Sequence, residues 1–154
     1  MGNKKVKIFN NLVNLIKDEQ KIQSSIHIAK GKVLENWIDY NDHMNMSYYV
    51  QCFEESSDFI LEHLGLGYNY AVNQNKGVFV VKCEINYKKE IKLNEEFLIA
   101  LQSIVIKGKR LTLRLVMKND KNNIFADYEI LNLNIDLKTK KSISFEDEFI
   151  RKLS

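Results

Sequence analysis

Proline is absent from the 154 residues, and cysteine occurs only twice, at Cys52 and Cys83. The missing proline reads as compositional drift, yet it excludes any site signature that requires that residue. Two cysteines are too few for a disulfide framework, and with no secretory segment in view both read as buried thiols. Histidine is nearly as scarce. His27, His43 and His63 share no metal-ligand spacing, and no Cys/His cluster supports zinc. No glycine-rich phosphate loop occurs. The expectation is a protein without metal or cofactor.

Long apolar runs are also missing, and none approaches the ~20 residues of a membrane helix. The opening "MGNKKVKIFNNLVNLIKDEQKIQ" is basic, but asparagine and lysine interrupt its apolar residues, which argues against a signal peptide. "MGNKKV" lacks the Ser or Thr of a myristoylation site. A cytoplasmic location without membrane attachment is expected. Concentrated charge is lacking too. The net charge of +3 comes from lysines spread along the chain, in short runs such as "YKKE", "KGKR" and "KTKK" at expected turns. Nucleic-acid modules gather their positive charge on one face or tail. A dispersed excess suits solubility or a small anionic ligand better.

What is present fits one domain with a single substantial core: 45% of residues are hydrophobic and 28% charged. Residues 1–23 read as an N-terminal extension, with a loose amphipathic helix over 5–22. Residues 24–154 read as one domain. Ile26, Ile28, Val33 and Leu34 mark an extended segment. A helix is expected from about Ser47 to Leu64, where Tyr49, Phe53, Ile60 and Leu64 recur at helical spacings and Gly65 and Gly67 supply a stop. Small Ser56 and Ser57 near its middle allow close approach of a strand. After a polar loop, "GVFVVKCEINYKKE" places Phe79, Val81, Cys83, Ile85 and Tyr87 on one strand face. "FLIALQSIVI" is apolar on both faces, and "LTLRLVM" alternates Leu111, Leu113, Leu115 and Met117 against Thr112 and Arg114. The stretch "IFADYEILNLNIDL" carries Leu131, Leu133, Ile135 and Leu137 on one face. Tight turns between these strands favour an antiparallel sheet. The fold class is therefore α+β, with the sheet wrapped around one long central helix and one sheet edge open to a second copy.

Immediately before that helix stands "WIDYNDHMNMSYY". Asp39, Asn41 and His43 precede a helix N-terminus whose N–H groups and partial positive charge can polarise a carbonyl. A carboxylate or imidazole beside it can activate water. Residue types alone also allow a plainer reading: Asp39 and Asn41 form a side-chain turn, Asn45 caps the helix, and His43 is tucked beneath.

The pattern Asp39-x-Asn41-x-His43-x-Asn45-x-x-x-Tyr49, followed by Phe53-Glu54, resembles the hotdog-fold thioesterases, and "WIDYNDHMN" with "HLGLG" is similar to the branch associated with carnitine and betaine breakdown. "CEINYKKEIKLNEEFLIAL" and "ADYEILNLNIDLKTKK" resemble later strands of that family. The resemblance covers residues 25–145 and implies a hotdog fold, acyl-CoA hydrolysis, and a site shared across a homodimer or a dimer of dimers. It implies catalytic roles for Asp39, Asn41, His43 and Glu54, with Asn45 and Tyr49 near the substrate. If coenzyme A is the carrier, Lys88 and Lys107 are among the surface cations available to its phosphates. Two departures stand out. Ser57 replaces the helix arginine of the pattern, and Asn41 stands where many relatives carry a catalytic Asp, so Asn41 can orient water but cannot act as a base. His43 is the main candidate for water activation, since an imidazole exchanges protons near neutral pH. Glu84 is a more distant carboxylate candidate. Trp37, Tyr40, Tyr48, Tyr68 and Tyr70 are candidates for an aromatic cage around a trimethylammonium group. A non-catalytic acyl-CoA-binding protein remains an alternative. A hotdog hydratase, whose signature resembles "D-x-N-P-x-H", is disfavoured by shorter spacing and the missing proline.

Overall fold

A computed structural model describes residues 14–15, 21–22 and 25–153. In chain order these form β1 (Asn14–Leu15), β2 (Lys21–Ile22), β3 (Ser25–Lys32), a one-turn 3-10 helix (Glu35–Trp37), α1 (Met46–His63), α2 (Tyr68–Gln74), β4 (Lys76–Tyr87), β5 (Glu96–Lys107), β6 (Arg110–Lys118), β7 (Ile124–Asp136), β8 (Lys141–Ser142) and α3 (Asp147–Leu153). The expected helix over 5–22 lies mostly outside the described residues. Where it is described it is replaced by β1 and β2, which pair antiparallel with β3 and so belong to the sheet.

The sheet runs β1-β3-β5-β6-β7-β4, with β2 also on β3 and β8 on β7; every pairing is antiparallel. Register shifts at Ile28, Gln102 and Val81 are β-bulges, each of which bends its strand. The curled sheet wraps α1, as expected for the hotdog class. The buried stripe of α1 comprises Tyr49, Cys52, Phe53, Ser56 and Ile60. Phe53 stacks on Tyr128 of β7 with ring centroids 4.8 Å apart, and Tyr49 meets Tyr87 of β4 edge-on at 5.1 Å. Opposite them, the inner face of β6 presents Leu111, Leu113, Leu115 and Met117, all fully buried.

The α1 terminus shows why the glycine signal was legible. Gly65 adopts φ +76°, the Leu66 N–H donates to the Leu61 carbonyl at 2.8 Å, and the Gly65 N–H donates to Glu62 at 3.0 Å. This is a Schellman stop, closed by buried Leu66. The expected loop that follows instead contains α2, whose first N–H, from Tyr68, donates to Glu62 Oε1 at 2.5 Å.

Two strand faces differ from the alternation in the sequence. The bulge at Val81 reverses the pattern within β4, so Val78 and Val80 share the inner face with Cys83, Ile85 and Tyr87, while Phe79 turns outward opposite Leu133. In β7 the inner face carries Tyr128, Ile130, Asn132 and Asn134, not the leucines; Leu131 and Leu133 lie half-buried on the outside. Asn134 is held in the core by the Tyr70 hydroxyl, which donates to its Oδ1 at 2.6 Å. Cys52 is buried as expected, but Cys83 is exposed because β4 is an edge strand. Among the described residues no helix is long and apolar enough to cross a membrane.

Gly31 on β3 is set by close approach. An added Cβ would sit 2.3 Å from the ring of Phe97, which is buried, so the ring would have to shift. Gly31→Ala is expected to destabilise the protein by about 1–3 kcal/mol in denaturant titration. Combining it with Phe97→Leu should recover part of that loss, and strictly additive losses would place the strain elsewhere.

Candidate active site

Residues 38–44 form a miniature hairpin. Ile38 bridges Met44, the Asp39 N–H donates to the His43 carbonyl at 3.2 Å, and Asp42 takes the left-handed φ of 64° that tightens the turn. Asp39 holds this turn with both carboxylate oxygens. Its Oδ1 accepts the Asn41 backbone N–H at 2.8 Å, and its Oδ2 accepts the Asn45 side-chain amide at 3.0 Å. Asn45 in turn caps α1, its Oδ1 accepting the Ser47 N–H at 3.0 Å and the Ser47 hydroxyl at 2.6 Å. The turn and cap read from the sequence are thus both present, joined through one carboxylate. The Asn41 N–H, followed by the Asn45 amide, holds the Asp39 carboxyl below its usual range.

His43 leaves the hairpin toward a different partner. Its Nδ1 lies 3.0 Å from Oε2 of Glu90, while its side chain remains 35% exposed. Glu90 belongs to the segment between β4 and β5, and Oε1 of the same carboxylate is 3.6 Å from Lys92 Nζ. The hydrogen bond from His43, then Lys92, lowers the Glu90 carboxyl below its ordinary value. Backbone geometry fixes this encounter: the Met44 N–H donates to the Ile91 carbonyl at 2.8 Å, so the residues preceding each, His43 and Glu90, are held side by side. Both Met44 and Ile91 are buried. Glu90 was missed in the sequence because it lies 47 positions away within "YKKE", which reads as a solvated turn.

The remaining candidates divide by place. Asp39, Asn41, His43 and Asn45 come together at the α1 entrance, with Asn41 exposed. Lys88 precedes Glu90 by two residues, and its Nζ is 3.3 Å from Asp127 Oδ2. Tyr49 is buried beneath the entrance, where burial pushes its hydroxyl up to about 12 against the pull of the Ile91 N–H. Glu54 sits about 12 Å along α1 from Met46. It accepts a hydrogen bond from the Tyr128 hydroxyl, which burial and then Glu54 itself push upward. Lys107 ends β5 at the β6 turn, as much as about 36 Å of extended strand from Glu96. Glu84 is exposed on the outer face opposite Glu129.

The five aromatic candidates do not form one cage. Trp37 is buried and stacks on Tyr48 at 5.3 Å near the entrance, and Tyr40 is exposed. Tyr68 and Tyr70 lie on α2, beyond the far end of α1, which is about 27 Å long. Among the described residues no group of three or more His, Cys, Asp and Glu side chains could hold a metal ion.

Residues 33–153 match the family model described as the thioesterase-like superfamily. The chain is 24% identical over 135 residues to the L-carnitine dehydrogenase/betainyl-CoA thioesterase of Agrobacterium fabrum, a match covering 86% of this chain but only 28% of that protein. It is 25% identical over 122 residues to the betainyl-CoA thioesterase of Pseudomonas aeruginosa, covering 79% of this chain and 77% of that one. The fold is similar to that of SAV2348 from Staphylococcus aureus, solved in complex with CoA. That comparison gives a TM-score of 0.76 at 21% identity, over 88% of this chain and 85% of the other.

Because its folded pKa lies below the ordinary 3.8, Asp39 adds stability that is complete above that pH and vanishes as pH falls through the folded value. Asp39→Asn should therefore be less stable than wild type at neutral pH, with the gap closing in acid. Urea titrations at about pH 7 and about pH 2 test this; an equal gap at both would mean the carboxylate charge is irrelevant to the turn.

Proposed function

The chain belongs to the thioesterase-like superfamily, and on that footing we propose that it is an acyl-CoA thioesterase acting on a small or medium acyl group. The observation that carries this reading is the α1 entrance, where an Asp39-braced turn sets exposed Asn41 and partly exposed His43 beside a capped helix N-terminus. Water adds to the thioester carbonyl as His43 takes its proton, and the tetrahedral oxyanion collapses with loss of the coenzyme A thiolate. That thiolate recovers a proton, leaving free acid and free thiol. Asn45 already occupies the Ser47 N–H. Carbonyl polarisation therefore falls to the positive end of α1 as a whole and to the Asn41 amide. Asp39 acts indirectly, since both its oxygens are engaged by the turn and the cap.

The two betainyl-CoA thioesterase relatives support an acyl-CoA substrate, and Trp37 with Tyr48 supplies one stacked aromatic pair near the entrance. Lys88, half exposed and 3.3 Å from Asp127, is a candidate cation for a coenzyme A phosphate. The partner is a second copy of the chain, joined through β4. That twelve-residue strand ends the sheet, and on its inner face Val80 is 51% and Tyr87 45% exposed. We propose a homodimer or dimer of dimers, working in the cytoplasm.

Thiol release from short, medium and betainyl acyl-CoAs is expected, falling at least about a hundredfold in His43→Ala or Asn41→Ala with folding intact. No thiol release from any acyl-CoA by the folded protein would favour the non-catalytic binding reading. By sedimentation, wild type should be dimeric or larger, and Val80→Asp should shift it toward monomer. An unchanged mass would place the interface elsewhere.

A further inference from the structure

We propose that Glu90 is a positioning residue that holds the neutral His43 imidazole in its Nδ1–H tautomer, leaving Nε2 as the basic nitrogen. The inference deepens the thioesterase reading and rests on it for its catalytic consequence, though the tautomer itself does not. Three observations support it. First, Nδ1 of His43 and Oε2 of Glu90 are 3.0 Å apart, a full hydrogen bond. An ionised carboxylate can only accept, so the ring nitrogen facing it must carry the hydrogen. The lowered Glu90 carboxyl keeps that acceptor ionised across the neutral range. Second, the contact is built into the backbone. The Met44 N–H to Ile91 carbonyl bond, 2.8 Å long between two buried residues, clamps the His43 and Glu90 segments together. Third, the carboxylate nearest in sequence is committed elsewhere: both oxygens of Asp39 serve the turn and the helix cap.

The consequence is chemical. Unconstrained neutral imidazole favours hydrogen on Nε2, which would leave Nδ1 as the base. With Nδ1–H bound to Glu90, the lone pair that accepts a proton from water lies on Nε2. When Nε2 takes that proton the ring becomes a cation, and Glu90 faces it at hydrogen-bond distance. Charges near the pair include Lys92, 3.6 Å from the opposite Glu90 oxygen, Glu95, which accepts the Lys92 N–H at 2.6 Å, and the Asp39 carboxylate.

Long-range proton–nitrogen correlation spectra of 15N-labelled full-length protein test the tautomer directly. The chain has only three histidines, and His43→Asn identifies the signal in question. In wild type at alkaline pH, His43 is expected as the Nδ1–H form; in Glu90→Ala it should revert to Nε2–H, with Glu90→Asp restoring part of the wild-type signal. In parallel, Glu90→Ala should lower kcat for thiol release by roughly ten- to a hundredfold, with KM changed much less. An Nε2–H signal in wild type, or the same tautomer in wild type and Glu90→Ala, overturns the proposal. So does a loss of kcat in Glu90→Ala without a tautomer change, which would mark a structural role. If the tautomer switches as expected but no acyl-CoA is hydrolysed, the positioning stands and the thioesterase reading falls.

Discussion

Burial of one face of α1 is the constraint from which the rest of the molecule follows. The stripe Tyr49, Cys52, Phe53, Ser56 and Ile60 cannot face water, and the chain has no second long helix among the described residues to cover it. The sheet must do so, and the bulges at Ile28, Gln102 and Val81 supply the curl. A sheet wrapped around one helix has two consequences. It holds the start of α1 at the end of the wrap, where β4 stops and β5 has yet to begin. It also leaves the inner face of the edge strand β4 only partly covered, with Val80 and Tyr87 half exposed.

Stability and the proposed chemistry share atoms at the α1 entrance. The Asp39 carboxylate closes a turn and steadies the residue that caps the helix, so its charge is absorbed locally. The turn-and-cap reading and the reaction-site reading are therefore not rivals. The cap is what brings Asn41 and His43 to one place. Two buried residues, Met44 through its N–H and Ile91 through its carbonyl, then bring a second acidic residue, Glu90, to the histidine.

Much of the fold was legible in the residues. The α1 stop at Gly65, the cap at Asn45, and the alternation of β6 follow from local rules that tertiary context had no reason to override. The strand faces of β4 and β7 were legible only in part. Period-two alternation assumes an unbroken strand, and the bulge at Val81 inverts it midway. In β7, leucines alternate with asparagines, so hydrophobicity puts the leucines inside. The core takes Asn134 instead because Tyr70 supplies its hydrogen bond. The aromatic cage failed for a reason of scale, since α1 separates its two halves.

By itself, the sequence determined the class of the protein: one long apolar helix, hairpin-linked strands, and a polar motif at the helix start. Those features depend on neighbours a few positions apart, where spacing and residue type are sufficient. Tertiary structure alone decided which distant groups meet. His43 and Glu90 are 47 residues apart and meet where the Met44 N–H to Ile91 carbonyl bond joins the segment between β4 and β5 to the α1 entrance. Lys88 and Lys107, both strand-end lysines in the sequence, were sent to opposite ends of the sheet by the length of β5. A linear pattern records which chemical groups exist, but the encounter between distant ones is fixed by packing, and packing is where this candidate site was assembled.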